Sequence, residues 1–156
     1  MKRVLVAGIG NVFLGDDGFG VAVAQELAKS TWPEGTRVVD YGIRGLHLAY
    51  ELLDTPDLLV LIDTTSRQRE PGTLYLIDPE LERGQLPIAT PDAHSMDPVS
   101  VFASVLHLGG RLPRARIVGC EPESLEEGMG LSPAVENAIP AAVTMIRELL
   151  ESESRT

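Results

Sequence analysis

The sequence predicts an α/β fold: a three-layer sandwich in which helices cover both faces of a mostly parallel, twisted sheet of about five strands, one of them antiparallel or at an edge. Three observations predict it. Apolar runs such as residues 4–9 and 57–63 are continuous rather than alternating, which suits strands covered on both sides. The first run ends in a glycine-rich turn, and residues 21–28 then switch to helical spacing. Strand, glycine turn and helix open an α/β unit, and the same order returns over residues 36–53.

The opening turn holds Gly8, Gly10 and Gly15, followed by Asp16 and Asp17. A glycine turn between strand and helix often cradles a pyrophosphate, but this spacing is not G-x-G-x-x-G, and two carboxylates stand where a phosphate needs donors. Two acids at that point attract a cation instead. The plainer reading has Asp16 cap the helix and Asp17 complement its dipole, which accounts for the first acid better than the second.

After a connection marked by Trp32-Pro33, residues 36–41 read as the second strand, ended by Gly42. The turn Gly42-Ile43-Arg44-Gly45 then feeds a helix through Leu46, Tyr50, Leu52 and Leu53. Residues 57–63 form the most apolar strand, which places it at the centre of the sheet with Asp63 at its carboxyl end. Nine residues separate Asp63 from the strand at residues 73–78. That is too short for a helical crossover, so this fourth strand is expected to be antiparallel or at an edge. A loop-like stretch over residues 79–93 delivers His94 ahead of a helix that Asp97 caps and Pro98 begins. That helix ends at Gly109-Gly110, and residues 116–121 form the last strand. Ser132 and Pro133 start the final helix, which Pro140 is expected to kink or divide. The polar tail from Glu151 is expected to fray, and the chain is read as one domain over residues 1–156.

Composition narrows the partners. A formal charge of −10 over 156 residues disfavours nucleic acid and anionic membrane, both of which need a cationic face. One cysteine, Cys120, forms no internal disulfide, which fits a reducing compartment. Met1-Lys2-Arg3 before an apolar run imitates a signal peptide. Asn11 interrupts the run, Asp16-Asp17 follow it, and no small-x-small cleavage site appears, so it is read as the first strand. No run approaches the roughly 18 apolar residues of a spanning helix, and the protein is expected to be cytoplasmic, without a membrane partner.

Ligands of open α/β sheets sit beyond the carboxyl ends of the strands, where the strand order reverses. In a 2-1-3 order the acids after strands one and three converge, Asp40 closes strand two on the same edge, and His94 lies on a loop long enough to cover it. Asp17, Asp63 and His94 then form a carboxylate, carboxylate, imidazole set suited to nickel or zinc with positions left open. Other candidates carry less. Cys120 has no neighbour that depresses its pKa, His47 and His107 fall in helices, and Ser95 and Ser100 lack a G-x-S-x-G elbow.

With Gly8-Ile9-Gly10-Asn11, Asp16-Asp17-Gly18-Phe19-Gly20, Asp63 and His94 in place, the chain resembles the nickel-iron hydrogenase maturation endopeptidases. Asp40-Tyr41-Gly42-Ile43-Arg44-Gly45, Pro71-Gly72-Thr73 and the stretch from Glu121-Pro122 to Ser132-Pro133 follow in the same order, so the likeness runs nearly end to end. The resemblance implies an aspartic-type endopeptidase that removes the C-terminal extension of a hydrogenase large-subunit precursor once nickel is in place. It implies metal contacts at Asp17, Asp63 and His94, catalytic roles for Asp17 and Asp40, and substrate-facing backbone at Gly42 and Gly45. The family often carries Glu where Asp17 stands, and its second turn more commonly reads D-G-G-T, where this chain has Tyr41 and Ile43.

The expected partner is a nickel-bearing precursor, met by a monomer. No tightly bound cofactor is expected; the nickel read is the substrate's, and other divalent ions can occupy the site. Two rivals share parts of this pattern. A non-hydrolytic nickel-binding or nickel-sensing module would use the same three ligands, and a nucleotide-binding protein would use Gly8-x-Gly10 with Asp40 against a ribose.

Overall fold

A computed structural model describes residues 2–80 and 97–155. Its strands are β1 (Val4–Ile9), β2 (Thr36–Gly42), β3 (Leu58–Thr64), β4 (Leu74–Ile77) and β5 (Ala115–Cys120), and its helices are α1 (Phe19–Leu27), α2 (Gly45–Glu51), α3 (Pro98–His107) and α4 (Pro133–Ser154). The strands form one sheet in the order β2-β1-β3-β5-β4. The β1–β2, β1–β3 and β3–β5 pairs are parallel, and β4 lies antiparallel to β5 at the edge. The most apolar strand, β3, is central, as its composition predicts.

Both faces of the sheet are covered because every other residue of a strand points to the same side. Val4, Val6, Leu58, Val60 and Ile62 turn to one face and bury against Phe19, Val23 and Leu27 of α1 and Ala142, Ile146 and Leu150 of α4. Leu5, Ala7, Leu59 and Leu61 turn to the other and meet Leu48 and Leu52, in and just after α2, and Val101 and Val105 of α3. No helix among the described residues is long and apolar enough to cross a membrane.

Three local expectations are corrected. Asp16 caps no helix: residues Gly15–Gly18 form a 3-10 turn ahead of α1, and neither end is capped by a side chain. The Asp16 carboxylate instead accepts hydrogen bonds from the amides of Glu123 (2.8 Å), Ser124 (3.1 Å) and Ser132 (2.7 Å) and from the Ser132 hydroxyl (2.9 Å). Pro140 does not divide α4, which runs through it for 22 residues. Its position is exposed, so the Glu136 carbonyl that loses its donor there can be satisfied by water. Nor does helix end at Glu151: α4 continues to Ser154, because Glu153 is buried and accepts a bidentate pair from Arg114 at 2.6 and 2.5 Å.

Burial alone would raise the Asp16 carboxyl, but its four donors overcome that and hold it below the usual carboxylate range. A depressed folded-state value adds stability that is present above the unfolded value and lost as pH falls through the folded one. Asp16→Asn removes the charge that three amides are aimed at. It should cost roughly 2–4 kcal/mol at pH 7 in urea denaturation, with the deficit shrinking below about pH 3.8 as the wild type also loses its charge.

Candidate active site at the sheet's switch point

From β1 the chain crosses to β2 on one side and later to β3 on the other, so the strand order reverses between β1 and β3. Ligands of such sheets bind beyond the carboxyl ends at this point. The opening glycines shape it by close approach. A Cβ at Gly20 would overlap the carbonyl oxygens of Ile62 and Ile9, and one at Gly8 would overlap the Gly20 carbonyl, so α1 lies directly on the ends of β1 and β3. At Gly10, φ is +141° and a Cβ would overlap the Asp17 carbonyl, so only glycine lets the turn fold back over itself.

The amides of this turn are engaged by the chain itself. Gly10 donates to the Gly42 carbonyl (3.0 Å), Leu14 to Asn11 (3.1 Å), Gly15 to Gly128 (2.8 Å) and Asp16 to Ser124 (2.9 Å). Donors that a pyrophosphate would require are thus already used, and the turn is not a nucleotide cradle.

Asp17 projects to the rim, where its carboxylate accepts from the Asn11 amide (2.8 Å) and the Thr64 hydroxyl (3.2 Å). Thr64 follows Asp63 at the end of β3, so these bonds bring Asp17 and Asp63 to one place. Asp63 is 5% exposed, and its Oδ1 is a buried oxygen with no hydrogen-bond partner. Burial first, and then the charge of Asp17, push the Asp63 carboxyl well above the usual carboxylate range, against the amide and hydroxyl of Thr64. The Asp97 charge, just ahead of α3, adds to this push. Two carboxylates with an orphaned oxygen between strand ends form a polar site whose chemistry suits a cation.

Asp40 stands apart from this pair. It pairs with Gly8 on the far side of β1, about 10 Å or two strand spacings from the β3 end, with Oδ2 at 3.4 Å from Gln25 Nε2. It faces a shallow groove of about 440 Å³ between the first and second glycine turns, lined among others by Asn11, Phe13, Tyr41, Gly42 and Ile43. Phe13 and Ile43 are 63% and 61% exposed along it. Gly42, at φ +54°, opens onto the Asp40 carboxylate, whereas Gly45 is buried in the first turn of α2 and does not line the groove. Tyr41 is buried and bonded to Glu51, which also meets His47.

His94 lies outside the described residues, among which no group of three or more His, Cys, Asp or Glu is placed to hold a metal ion. Sequence reading missed Thr64, which joins the two acids and carries no signal beyond its place at a strand end, and it gave no role to the Asn11 backbone amide, which orients one of them. Cys120 is fully buried, and burial pushes its thiol up to about 12, so it is no nucleophile.

A family model described as hydrogenase maturation protease matches residues 21–149. The Escherichia coli hydrogenase 2 maturation protease is 30% identical over 152 residues, covering 96% of this chain and 92% of that one. The hydrogenase expression/formation protein HupD of Rhodobacter capsulatus is 32% identical over 151 residues, covering 95% and 71%. Among solved structures, the hydrogenase maturating endopeptidase HybD of E. coli superimposes with a TM-score of 0.78 at 27% identity, over 97% of this chain and 93% of that one.

The raised Asp63 carboxyl also has a stability signature. A raised folded-state value means stability declines as pH climbs from the unfolded value near 3.8 toward the folded one. Asp63→Asn is therefore expected to raise the melting temperature at pH 7 by roughly 2–4 °C and to show no gain near pH 3.5. Parallel melting curves for the two proteins check this, and equal stability at pH 7 would contradict the strained carboxylate.

Proposed function

Because the chain belongs to the hydrogenase maturation protease family, we propose that it is an endopeptidase that removes the C-terminal extension of a hydrogenase large-subunit precursor and reads nickel already held there. Its relatives are named as proteases and endopeptidases, which disfavours a module that binds nickel without cutting. One observation carries the nickel part of the proposal: the buried, unpartnered Oδ1 of Asp63 beside Asp17. A carboxylate pair of this kind repels itself until a cation arrives, and an incomplete ligand set suits an ion that a partner brings with ligands of its own.

His94 is the third proposed ligand. Three residues of chain span at most about 11 Å, and Asp97, three residues on, is near enough to Asp63 for its charge to act there. Nickel bridged between precursor and protease would fix the precursor chain against the rim. Hydrolysis then requires a water oxygen to add to the scissile carbonyl, the C–N bond to break and the leaving amine to take a proton. Asp17 or Asp40 is proposed to accept the water's proton, with Asp40 supported by its exposure to the groove. The exposed apolar surfaces of Phe13 and Ile43, with the Gly42 backbone between the turns, are proposed to receive the extended substrate.

Incubating the protein with nickel-loaded precursor should release a C-terminal peptide visible by mass spectrometry, and nickel-free precursor should stay intact. Asp17→Ala, Asp63→Ala and His94→Ala should each lower processing at least about 100-fold with unchanged circular dichroism. Equal cutting of nickel-free precursor would remove the nickel reading, and a fully active Asp63→Ala variant would remove this rim as the site.

A further inference from the structure

The last residue of β3, Thr64, is half-buried and stands in register with Cys120 of β5. The amide that follows, of Thr65, donates to the Cys120 carbonyl at 2.9 Å, so the sheet fixes this strand end. A β-branched side chain has few χ1 positions open to it, and the Thr64 hydroxyl is therefore held where the strand puts it. It donates to Oδ1 of Asp17, 47 positions away, at 3.2 Å.

Asp17 is an acid that needs a tether. Its side chain is half-buried, and the Asp17 and Asp63 carboxyl groups act on each other as like charges. Left to itself, the Asp17 carboxylate lowers its energy by turning to solvent, away from Asp63. Two donors oppose that turn. The Asn11 amide, at 2.8 Å from Oδ2, belongs to the same loop as Asp17, six residues back, and moves with it. The Thr64 hydroxyl is the one of the two that reaches across from β3, the strand that carries Asp63.

A plain structural part does not account for the hydroxyl. Thr64 is followed by β4 and no helix lies between them, so it caps none, and its partial exposure keeps it out of the apolar core. What it does is keep two acids together at the place where the buried Oδ1 of Asp63 has no hydrogen-bond partner among the described residues. Acids assembled beforehand bind an ion more tightly, because the ion does not have to draw them together against their repulsion. We propose that Thr64 is a positioning residue: its hydroxyl ties the Asp17 carboxylate to the end of β3, beside Asp63, and so sets how tightly this rim takes up a divalent cation. Its bearing on catalysis rests on the protease reading above.

The test is calorimetric titration of the untagged full chain with nickel chloride alone, beside the processing of nickel-loaded precursor. The wild type should take up nickel, and Asp63→Asn should not. Thr64→Val, close in shape but without the hydroxyl, should bind about ten-fold more weakly, the loss usual when a ligand's supporting hydrogen bond is removed. Thr64→Ser, which keeps the hydroxyl and loses the methyl, should stay within about two-fold of the wild type. Should Thr64→Val lose its circular dichroism signal, Thr64→Ala carries the same expectation. Equal affinity in the wild type and the folded variant without the hydroxyl overturns the positioning role, as does a Thr64→Ser protein as weak as Thr64→Val. No nickel uptake by the wild type, or undiminished uptake by Asp63→Asn, overturns it too, since acids assembled beforehand must bind without the partner. Loss of precursor processing with nickel uptake intact and weakened in Thr64→Val removes the protease reading alone and upholds the role of Thr64 at the rim.

Discussion

The Asp16 carboxylate is the constraint on which the rest of the rim depends. It is 1% exposed and accepts four hydrogen bonds from residues more than 100 positions away. Those bonds join the turn after β1 to the connection after β5 and to the first residues of α4. Two backbone bonds beside it, from Gly15 to Gly128 and from Gly128 to Phe13, close the same seam. Since a buried ionised group is tolerated only when its acceptor sites are filled, the seam is all-or-nothing: loosening one donor leaves the charge exposed to the apolar interior. A fixed seam fixes Asp17, the next residue.

Asp63 shows the opposite economy. It ends the most protected strand of the sheet, between β1 and β5, where a side chain is hardest to solvate. Asp16 has four donors around one carboxylate, whereas Asp63 has an oxygen without a partner and a like charge beside it. One chain thus carries two buried aspartates handled in contrary ways, the first satisfied and the second not. Structural acids look like the first. The second costs stability, and acids so placed cluster at functional sites.

Much of this was legible in the residues because parallel sheets write themselves in continuous apolar runs. β3 at the centre and β4 antiparallel at the edge followed from run length and from the nine-residue spacing, and the 2-1-3 order that unites Asp17 with Asp63 followed from α/β topology. The errors arose where distant partners override local rules. Asp16 stands where a helix cap belongs, and only contacts across 107 to 116 positions draw it elsewhere. The helix beyond Glu151 is polar, and Arg114 and Lys2 hold it through Glu153, which no local pattern reveals. Thr64 was hidden for the same reason: a hydroxyl advertises its type in a sequence, and its partner only in space.

The clamp around Glu153 bears on how the protein folds. Lys2 Nζ reaches the Glu153 carbonyl at 3.0 Å, and Val4 shares its apolar layer with Ile146 and Leu150. The layer that Phe19, Val23 and Leu27 of α1 begin over this face of β1 is therefore completed by α4. Groups 151 positions apart thus close one layer, and pairing at such separation costs loop-closure entropy before any contact repays it, which slows the final step of folding.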